Sequence, residues 1–181
     1  MKRYILTGAP GAGKTALLRR LELDGFPVVE EAATDVNALM IAEGIAHPHL
    51  EPSFIDDILD LQIARQTGAD AWDAPSVLFD RSPVCTLALA QFLGRETPPA
   101  LAAEVARIRR EGVYDRAVFL VENLGFIANT EVRRISFEET LRFEAVHAEV
   151  YQRLGYDLVR IPAADVATRA DQVRRVIEAR P

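Results

Sequence analysis

The feature that most constrains the fold of this chain is a glycine-rich stretch near its N-terminus. Residues 8–15 read GAPGAGKT, which matches the pattern G-x-x-x-x-G-K-[ST] of a phosphate-binding loop. Residues 2–7, directly before it, contain an apolar, β-forming run, and residues 14–23 carry leucines at helical spacing. The pattern therefore predicts a first strand, the loop and a first helix, the order that a phosphate-binding loop requires. A plain glycine turn between a strand and a helix is the alternative.

The residue types in this loop indicate how a nucleotide would be bound. Glycines let the backbone curl so that successive N–H groups point at a phosphate, and the following helix adds free N–H groups and the positive end of its dipole. The Lys14 ammonium is expected to reach the outer phosphates of ATP, and the Thr15 hydroxyl to ligate Mg²⁺. Lysine occurs only at positions 2 and 14 of an arginine-rich chain, which favours a need for a compact ammonium at Lys14. The predicted nucleotide-binding residues are Thr7, Gly8, Ala9, Pro10, Gly11, Ala12, Gly13, Lys14 and Thr15.

The length, composition and charge of the chain limit its domain organisation, its redox chemistry and its possible partners. A length of 181 residues is expected for one domain, 1–181, and 49% apolar residues are enough for an ordinary core. The net charge of −6 argues against nucleic acid as the main partner. A single cysteine, Cys85, excludes an internal disulfide. No apolar run is long enough to span a membrane and no signal peptide is evident, so we expect a cytoplasmic protein without membrane contact.

Apolar strands alternate with helical patterns along the whole chain. Four further strands are predicted at about 26–29, 76–79, 117–121 and 158–161. Further helices are predicted at about 32–46, 53–68, 84–93, 100–111, 137–154 and 165–179. Ser53 is a candidate cap of one of them. The alternation requires parallel strands joined by right-handed crossovers, so it predicts an α/β fold, a three-layer sandwich with a five-stranded parallel sheet. Ligands of such a sheet bind at the carboxyl ends of its strands.

Charged residues follow the third predicted strand, where a ligand is expected. Asp80 comes directly after the apolar run 76–79, as in a Walker B segment, and its carboxylate is predicted to hold Mg²⁺ directly or through water. A helix-capping aspartate is the alternative. Arg81 is predicted to clamp phosphate oxygens as charge develops on them, and an ordinary ion pair is the alternative.

Charged pairs also follow the second and fourth strands. Glu30 and Glu31 are adjacent, so only one of them can face the site. Its carboxylate is expected to accept the proton of an attacking hydroxyl or to hold water around the metal, whereas a solvated pair at a helix start is the alternative. Arg133 and Arg134 end a lid loop at about 122–134, where they are predicted to neutralise the transferring phosphoryl group. A solvated basic helix start is the alternative for the two arginines.

The chain resembles the nucleoside-monophosphate-kinase-like branch of P-loop proteins, and more narrowly a small AAA-labelled ATPase/kinase group related to nicotinamide riboside kinases and deoxynucleoside kinases. The resemblance covers nearly the whole chain and is carried by the segments GAPGAGKT, VVEEAA, FDRS and LGYDLVRIP. It implies the strand order 2-3-1-4-5, an adenine contact at about 162–166 and acceptor-covering helices at about 34–67. In the similar kinases a glutamate after strand two is the catalytic base, and Glu31 is the better match to it.

These observations predict a small-molecule kinase that uses ATP and Mg²⁺, acts on a nucleoside-like or other metabolite acceptor and is a monomer or homodimer. The predicted catalytic residues are Lys14, Glu31, Asp80, Arg81, Arg133 and Arg134. A partner-regulated NTPase or nucleotide-dependent switch would use the same loop and is the main alternative. A polynucleotide-end kinase is disfavoured by the acidic charge.

Overall fold

A five-stranded parallel sheet is the centre of the structure, a computed structural model that describes residues 1–124 and 136–180. Its strands are β1 (Lys2–Thr7), β2 (Val28–Val29), β3 (Ser76–Asp80), β4 (Ala117–Val121) and β5 (Asp157–Ile161). They lie in the order β2-β3-β1-β4-β5, and all four pairs of neighbours are parallel. The predicted α/β fold and the strand order implied by the resemblance are both confirmed.

Seven α-helices join the strands within the described residues. They are α1 (Lys14–Leu23), α2 (Ala32–Ala42), α3 (Phe54–Gly68), α4 (Pro83–Phe92), α5 (Pro99–Glu111), α6 (Phe137–Arg153) and α7 (Val166–Glu178). Short 3₁₀ turns lie at Pro48–Leu50 and Ala69–Ala71. Among the helices of residues 1–124 and 136–180, none combines the length and the apolar character that a membrane span requires.

Two details of the predicted elements are wrong. Helix α2 ends at Ala42 and not at residue 46, because the chain turns at Gly44, where φ is +91°, a conformation that glycine adopts at little cost. The Ser53 hydroxyl makes no capping hydrogen bond, since Ser53 itself has helical backbone angles and its side chain does not point back at the first N–H groups.

The sheet is covered on both faces, as a parallel sheet must be. Tyr4 and Leu6 of β1 point to one face, where they join a buried cluster with residues of α1 and α7. Ile5 points to the other face, into a larger cluster with residues of α2, α3, α4, α5 and α6. Side chains of a strand alternate between faces, so the continuous apolar run of β1 serves both cores. The predicted three layers are confirmed.

The strand register brings the loops of interest to one edge of the sheet. Leu6 lies opposite Asp80, and Thr7 lies opposite Leu120. The Arg81 N–H donates to the Leu6 carbonyl at 3.0 Å, so pairing between β1 and β3 continues into the loop that follows β3. The segments after β1, β3 and β4 therefore begin side by side.

Candidate functional site

The loop after β1 has the backbone geometry expected of a phosphate cradle. Gly8, Gly11 and Gly13 have φ values of +133°, +82° and +85°, which side-chain-bearing residues rarely adopt. At Gly8 an added Cβ would lie 2.3 Å from the Val121 carbonyl oxygen. Gly13 occupies the N-cap position of α1, and no side chain caps that helix. The N–H groups at the start of α1 thus remain available to an anion.

The Lys14 ammonium folds back over this loop. Lys14 is 6% exposed, and its Nζ donates to the carbonyl oxygens of Gly8 at 3.1 Å and Ala9 at 3.0 Å. Burial is the main reason that the pKa of Lys14 falls to about 8, and repulsion from the Arg81 guanidinium adds to the effect. Lys14 therefore lies within the electrostatic reach of the groups that follow β3.

Asp80 is the buried last residue of β3, with 4% exposure. Its charge raises the pKa values of both Lys14 and Arg81, which places the carboxylate close to these two cations. The alternative of a capping aspartate is wrong, because Ser82 caps α4: its Oγ accepts from the Val84 N–H at 3.3 Å. Asp80 is left on the strand end itself, as a Walker B aspartate would be.

The side chains present fit a magnesium ion that is bound together with a nucleotide. Thr15 is exposed at the start of α1 and Asp80 ends β3, so a hydroxyl and a carboxylate oxygen are available at the same edge. Mg²⁺ is usually held by one or two carboxylates, substrate phosphates and water. Within residues 1–124 and 136–180, no cluster of three or more His, Cys, Asp or Glu side chains could hold a metal by itself. Thr7 is placed differently, because its buried hydroxyl lies 3.4 Å from the Cys85 Sγ.

Of the two adjacent glutamates, Glu31 faces the site. Its side chain is 15% exposed and forms an ion pair with Arg81, and the Thr34 hydroxyl donates to its Oε2 at 2.7 Å. The Glu30 side chain is 48% exposed and pairs with Arg19. The extended backbone of Glu31 sends the two neighbouring side chains in opposite directions, as adjacent residues of an extended segment require.

The Glu31 carboxylate is ionised at any ordinary pH. Burial by itself would raise its pKa, but the attraction of Arg81 and Lys14, with hydrogen bonds from Thr34 and Arg81, outweighs burial and lowers the pKa to about 2. Glu31 is therefore a fixed negative charge between two cations.

Arg81 is the centre of this cluster. It is 8% exposed and has a φ of +74°, a conformation that costs a residue other than glycine about 1–2 kcal/mol. Its Nε donates to Glu31, its Nη1 lies 3.1 Å from His147 Nε2, and its guanidinium lies 5.5 Å from the centre of the Phe143 ring. The predicted contact of Arg81 with phosphate stays a prediction, while the alternative, an ion pair, is present.

His147 is a site residue that the sequence reasoning missed. It is fully buried on α6, and its Nδ1 lies 2.9 Å from the Phe143 carbonyl oxygen. A carbonyl only accepts, so Nδ1 carries the proton and Nε2 accepts from Arg81. Burial and the Arg81 charge lower the pKa of His147 well below its usual value. Its position four residues after Phe143, on the apolar face of α6, is the one sequence signal that marks it.

Arg169 is a second missed residue. It is 2% exposed on α7, and its guanidinium bonds the carbonyl oxygens of Ala12, Glu122 and Pro162. The sequence signal is again an ionisable residue at a position expected to be buried. Arg169 lies one helical turn before Val173, so both residues are on the buried face of α7.

A small cavity adjoins the cluster on the side of α3. Its lining includes Asp80 and Arg81 and also Glu30, Gln62, Arg65 and Tyr114. The Gln62 Oε1 accepts from the Thr86 hydroxyl at 2.8 Å. Arg133 and Arg134, by contrast, lie outside the described residues, and their role stays a prediction.

The fold is shared with solved structures of kinases. Deoxyadenosine kinase from M. mycoides, bound to products dCMP and dCDP, matches with a TM-score of 0.60 and 14% identity over 98% of this chain and 99% of that chain. The NadR protein in complex with NR matches with a TM-score of 0.67 and 18% identity, over 98% of this chain and 50% of that chain. A search of curated proteins found no significant match.

With the glycine loop, Lys14 and Asp80 at the strand ends, this chain has a P-loop fold that resembles the fold of nucleoside kinases. A family model described as "AAA domain" matches residues 3–169. The chain belongs to this family.

Proposed function

We propose that this protein is a small-molecule kinase that transfers the γ-phosphoryl group of ATP-Mg²⁺ to a hydroxyl, or a phosphate, of a nucleoside-like acceptor. The observation that carries the proposal is the position of the Glu31 carboxylate. It is held by Arg81, within electrostatic reach of Lys14 in the phosphate loop. Arg81 also lines the cavity beside α3. A carboxylate in this position is suited to orient an acceptor hydroxyl toward a bound phosphate.

Different residues of the chain have different roles in phosphoryl transfer. The loop N–H groups and the Lys14 ammonium bind the phosphates of the donor. Asp80 and Thr15 would hold Mg²⁺, which would neutralise charge on the phosphates. Arg81 keeps Glu31 ionised and in place, and with Lys14 it supplies the positive potential that favours the transition state. Arg133 and Arg134 are proposed to add to this potential.

A pKa of about 2 makes Glu31 a weak base, which affects its proposed role. Phosphoryl transfer passes through a loose transition state in most analyses, and catalysis is mostly positioning and electrostatic stabilisation. Glu31 therefore acts chiefly by accepting a hydrogen bond from the acceptor hydroxyl and fixing its direction. It takes the proton only as the new P–O bond forms, when the hydroxyl has become strongly acidic.

The acceptor class is proposed from the fold relatives and from the polar residues of α3. The similar structures are a deoxyadenosine kinase and a protein in complex with NR, so a nucleoside-like acceptor is the first choice. Gln62 and Arg65 on α3 fall within the segment expected to cover the acceptor, and their polar groups suit a ligand with hydrogen-bonding edges.

An NTPase without a small-molecule acceptor is the second candidate, and membership of the AAA-domain family favours it. The two candidates differ in what Glu31 does. In the kinase Glu31 contacts the acceptor, whereas in an NTPase it would position water.

Comparing Glu31→Gln with Glu22→Gln tests the kinase proposal. We expect Glu31→Gln to bind ADP within about threefold of the wild type but to lose about 10²–10⁴-fold in phosphoryl transfer. Glu22→Gln is the matched control, because Glu22 is an exposed glutamate that also pairs with Arg19 and does not line the cavity beside α3, and it should keep full transfer. Transfer to an acceptor at wild-type rates in Glu31→Gln would contradict the assigned role.

A further inference from the structure

Arg169 joins three loops at the carboxyl edge of the sheet. Its Nη1 donates to the Ala12 carbonyl oxygen at 2.6 Å, its Nη2 to that of Glu122 at 2.6 Å and its Nε to that of Pro162 at 2.9 Å. These acceptors belong to the phosphate loop after β1, the segment directly after β4 and the segment directly after β5. One side chain on α7 therefore fixes the relative positions of three separate segments.

The partners of Arg169 are unusual for a buried cation. They are backbone carbonyls, and no ion pair among the described residues includes Arg169. Burying a charge whose hydrogen-bond acceptors are all neutral is costly, and burial lowers the pKa of Arg169 from its usual value, against a smaller opposing attraction from the Glu122 charge. Three hydrogen bonds, one from each guanidinium nitrogen, offset part of this cost. A leucine at this position of α7 would avoid the cost but would lose all three hydrogen bonds.

The hydrogen bond from Arg169 to the Ala12 carbonyl oxygen also orients the Gly13 N–H, which belongs to the same peptide group. In a trans peptide the C=O of Ala12 and the N–H of Gly13 point in opposite directions, and no cis peptide is present among the described residues. Because Ala12 O points at Arg169, the Gly13 N–H points away from it. A Cβ built on Gly13 would lie 3.3 Å from Arg169 Nη1, so the guanidinium lies directly against this peptide. A cation on the carbonyl also polarises the peptide and strengthens its N–H as a donor.

We propose that Arg169 is a positioning residue for phosphate binding: it fixes and polarises the Ala12–Gly13 peptide from behind the phosphate loop. It simultaneously holds the segments after β4 and β5 against the loop. The inference rests on the nucleotide site of the proposed function. It assigns to a residue of the last helix a part in binding the polyphosphate, which it does not itself contact.

The test measures the binding of ADP and of inorganic pyrophosphate by calorimetry. Arg169→Met removes the charge and all three bonds, and we expect its Kd for ADP to rise about 10–100-fold, as the loss of a charge-assisted hydrogen-bond set would predict. Arg169→Lys keeps the charge without the fork and should give a smaller rise. The same relative loss is expected for pyrophosphate, because the effect lies in phosphate binding. Arg175→Met is the matched control, since Arg175 is exposed on the same helix, and it should leave both values unchanged.

Two outcomes would overturn the inference itself. Wild-type affinity for ADP in both Arg169 variants would overturn it, and so would a loss for ADP that pyrophosphate does not share. If Arg169→Met does not fold, Arg169→Lys decides the matter by the same two measurements. A wild-type protein that binds neither ligand would instead contradict the proposed nucleotide site, and the inference would fall with it.

Discussion

At the scale of single residues, the site depends on the buried guanidinium of Arg81, which contacts side chains from two other elements. Arg81 bonds Glu31 and His147 and stacks near Phe143, and its backbone is in a left-handed conformation. Backbone strain of this kind persists only where the surroundings fix it, and it concentrates at functional sites. The cluster sets the charge of its neighbours: it keeps Glu31 ionised and makes Lys14 easier to deprotonate.

The first prediction concerns the charge of Lys14. Burial and then Arg81 lower its pKa to about 8, while Asp80, Glu31 and Cys85 oppose the shift. Above that pH Lys14 becomes neutral and loses its attraction for phosphate, so the Kd for ADP should rise by up to about tenfold per pH unit between about pH 8 and 10.

Calorimetry in buffers of different ionisation enthalpy should detect proton uptake on binding at pH 8.5. In Lys14→Met the Kd should be weaker and independent of pH. A wild-type Kd that stays constant from pH 7 to 10 would rule out this assignment.

The second prediction concerns acid stability. The folded pKa of Glu31 is depressed to about 2 from 4.5, so its pair with Arg81 contributes stability above pH 4.5 that is lost as the pH falls toward 2. Glu31→Gln should lower the free energy of unfolding by about 3 kcal/mol at pH 7, because it leaves a buried cation without its partner. The difference from the wild type should shrink between pH 4.5 and 2. Urea titrations at pH 7 and pH 3 measure this difference in the free energy of unfolding. Glu30→Gln serves as the exposed control. An equal difference at both pH values would disprove this linkage.

At the scale of secondary structure elements, the ends of neighbouring strands meet so closely that one position excludes any side chain. The loop leaves β1 at Gly8, directly against the Val121 carbonyl at the end of β4. From the other side, α6 supplies His147 and Phe143 to the site and begins with a capping box formed by Ser136 and Glu139. The site is thus assembled from element ends whose spacing is set by the sheet.

The third prediction tests this close approach. A Cβ on Gly8 would lie 2.3 Å from backbone, so Gly8→Ala must shift β1 or β4 and should cost about 2 kcal/mol or more of stability, with loss of ADP binding. Gly25→Ala is the control, because Gly25 also has a positive φ of +96° but nothing lies within 4 Å of its Cβ position. It should cost about 1 kcal/mol and leave ADP binding intact. Equal effects of the two variants on ADP binding would contradict the packing account.

At the scale of the whole molecule, the sequence predicted the layers because its signals are local. The glycine motif and the alternation of strands and helices depend on neighbouring residues, whereas the strand order came from the resemblance to known kinases. Contacts between distant residues were not predictable in the same way. Arg81 and Glu31 are 50 positions apart and Arg169 and Ala12 are 157 apart. Charged residues that follow two parallel strands predict that both residues lie at the same edge of the sheet. Only the packed structure shows that they form an ion pair.

The measurement that tests the central claim most directly is the formation of ADP from ATP-Mg²⁺, with and without a panel of nucleosides, nucleotides and hydroxylated metabolites. The product mixtures are then examined by mass spectrometry for a phosphorylated acceptor. We predict that one compound class strongly stimulates ADP formation and carries the phosphoryl group in equal amount. Slow ADP formation that no acceptor changes, with all phosphate released to water, would contradict a kinase and favour the NTPase.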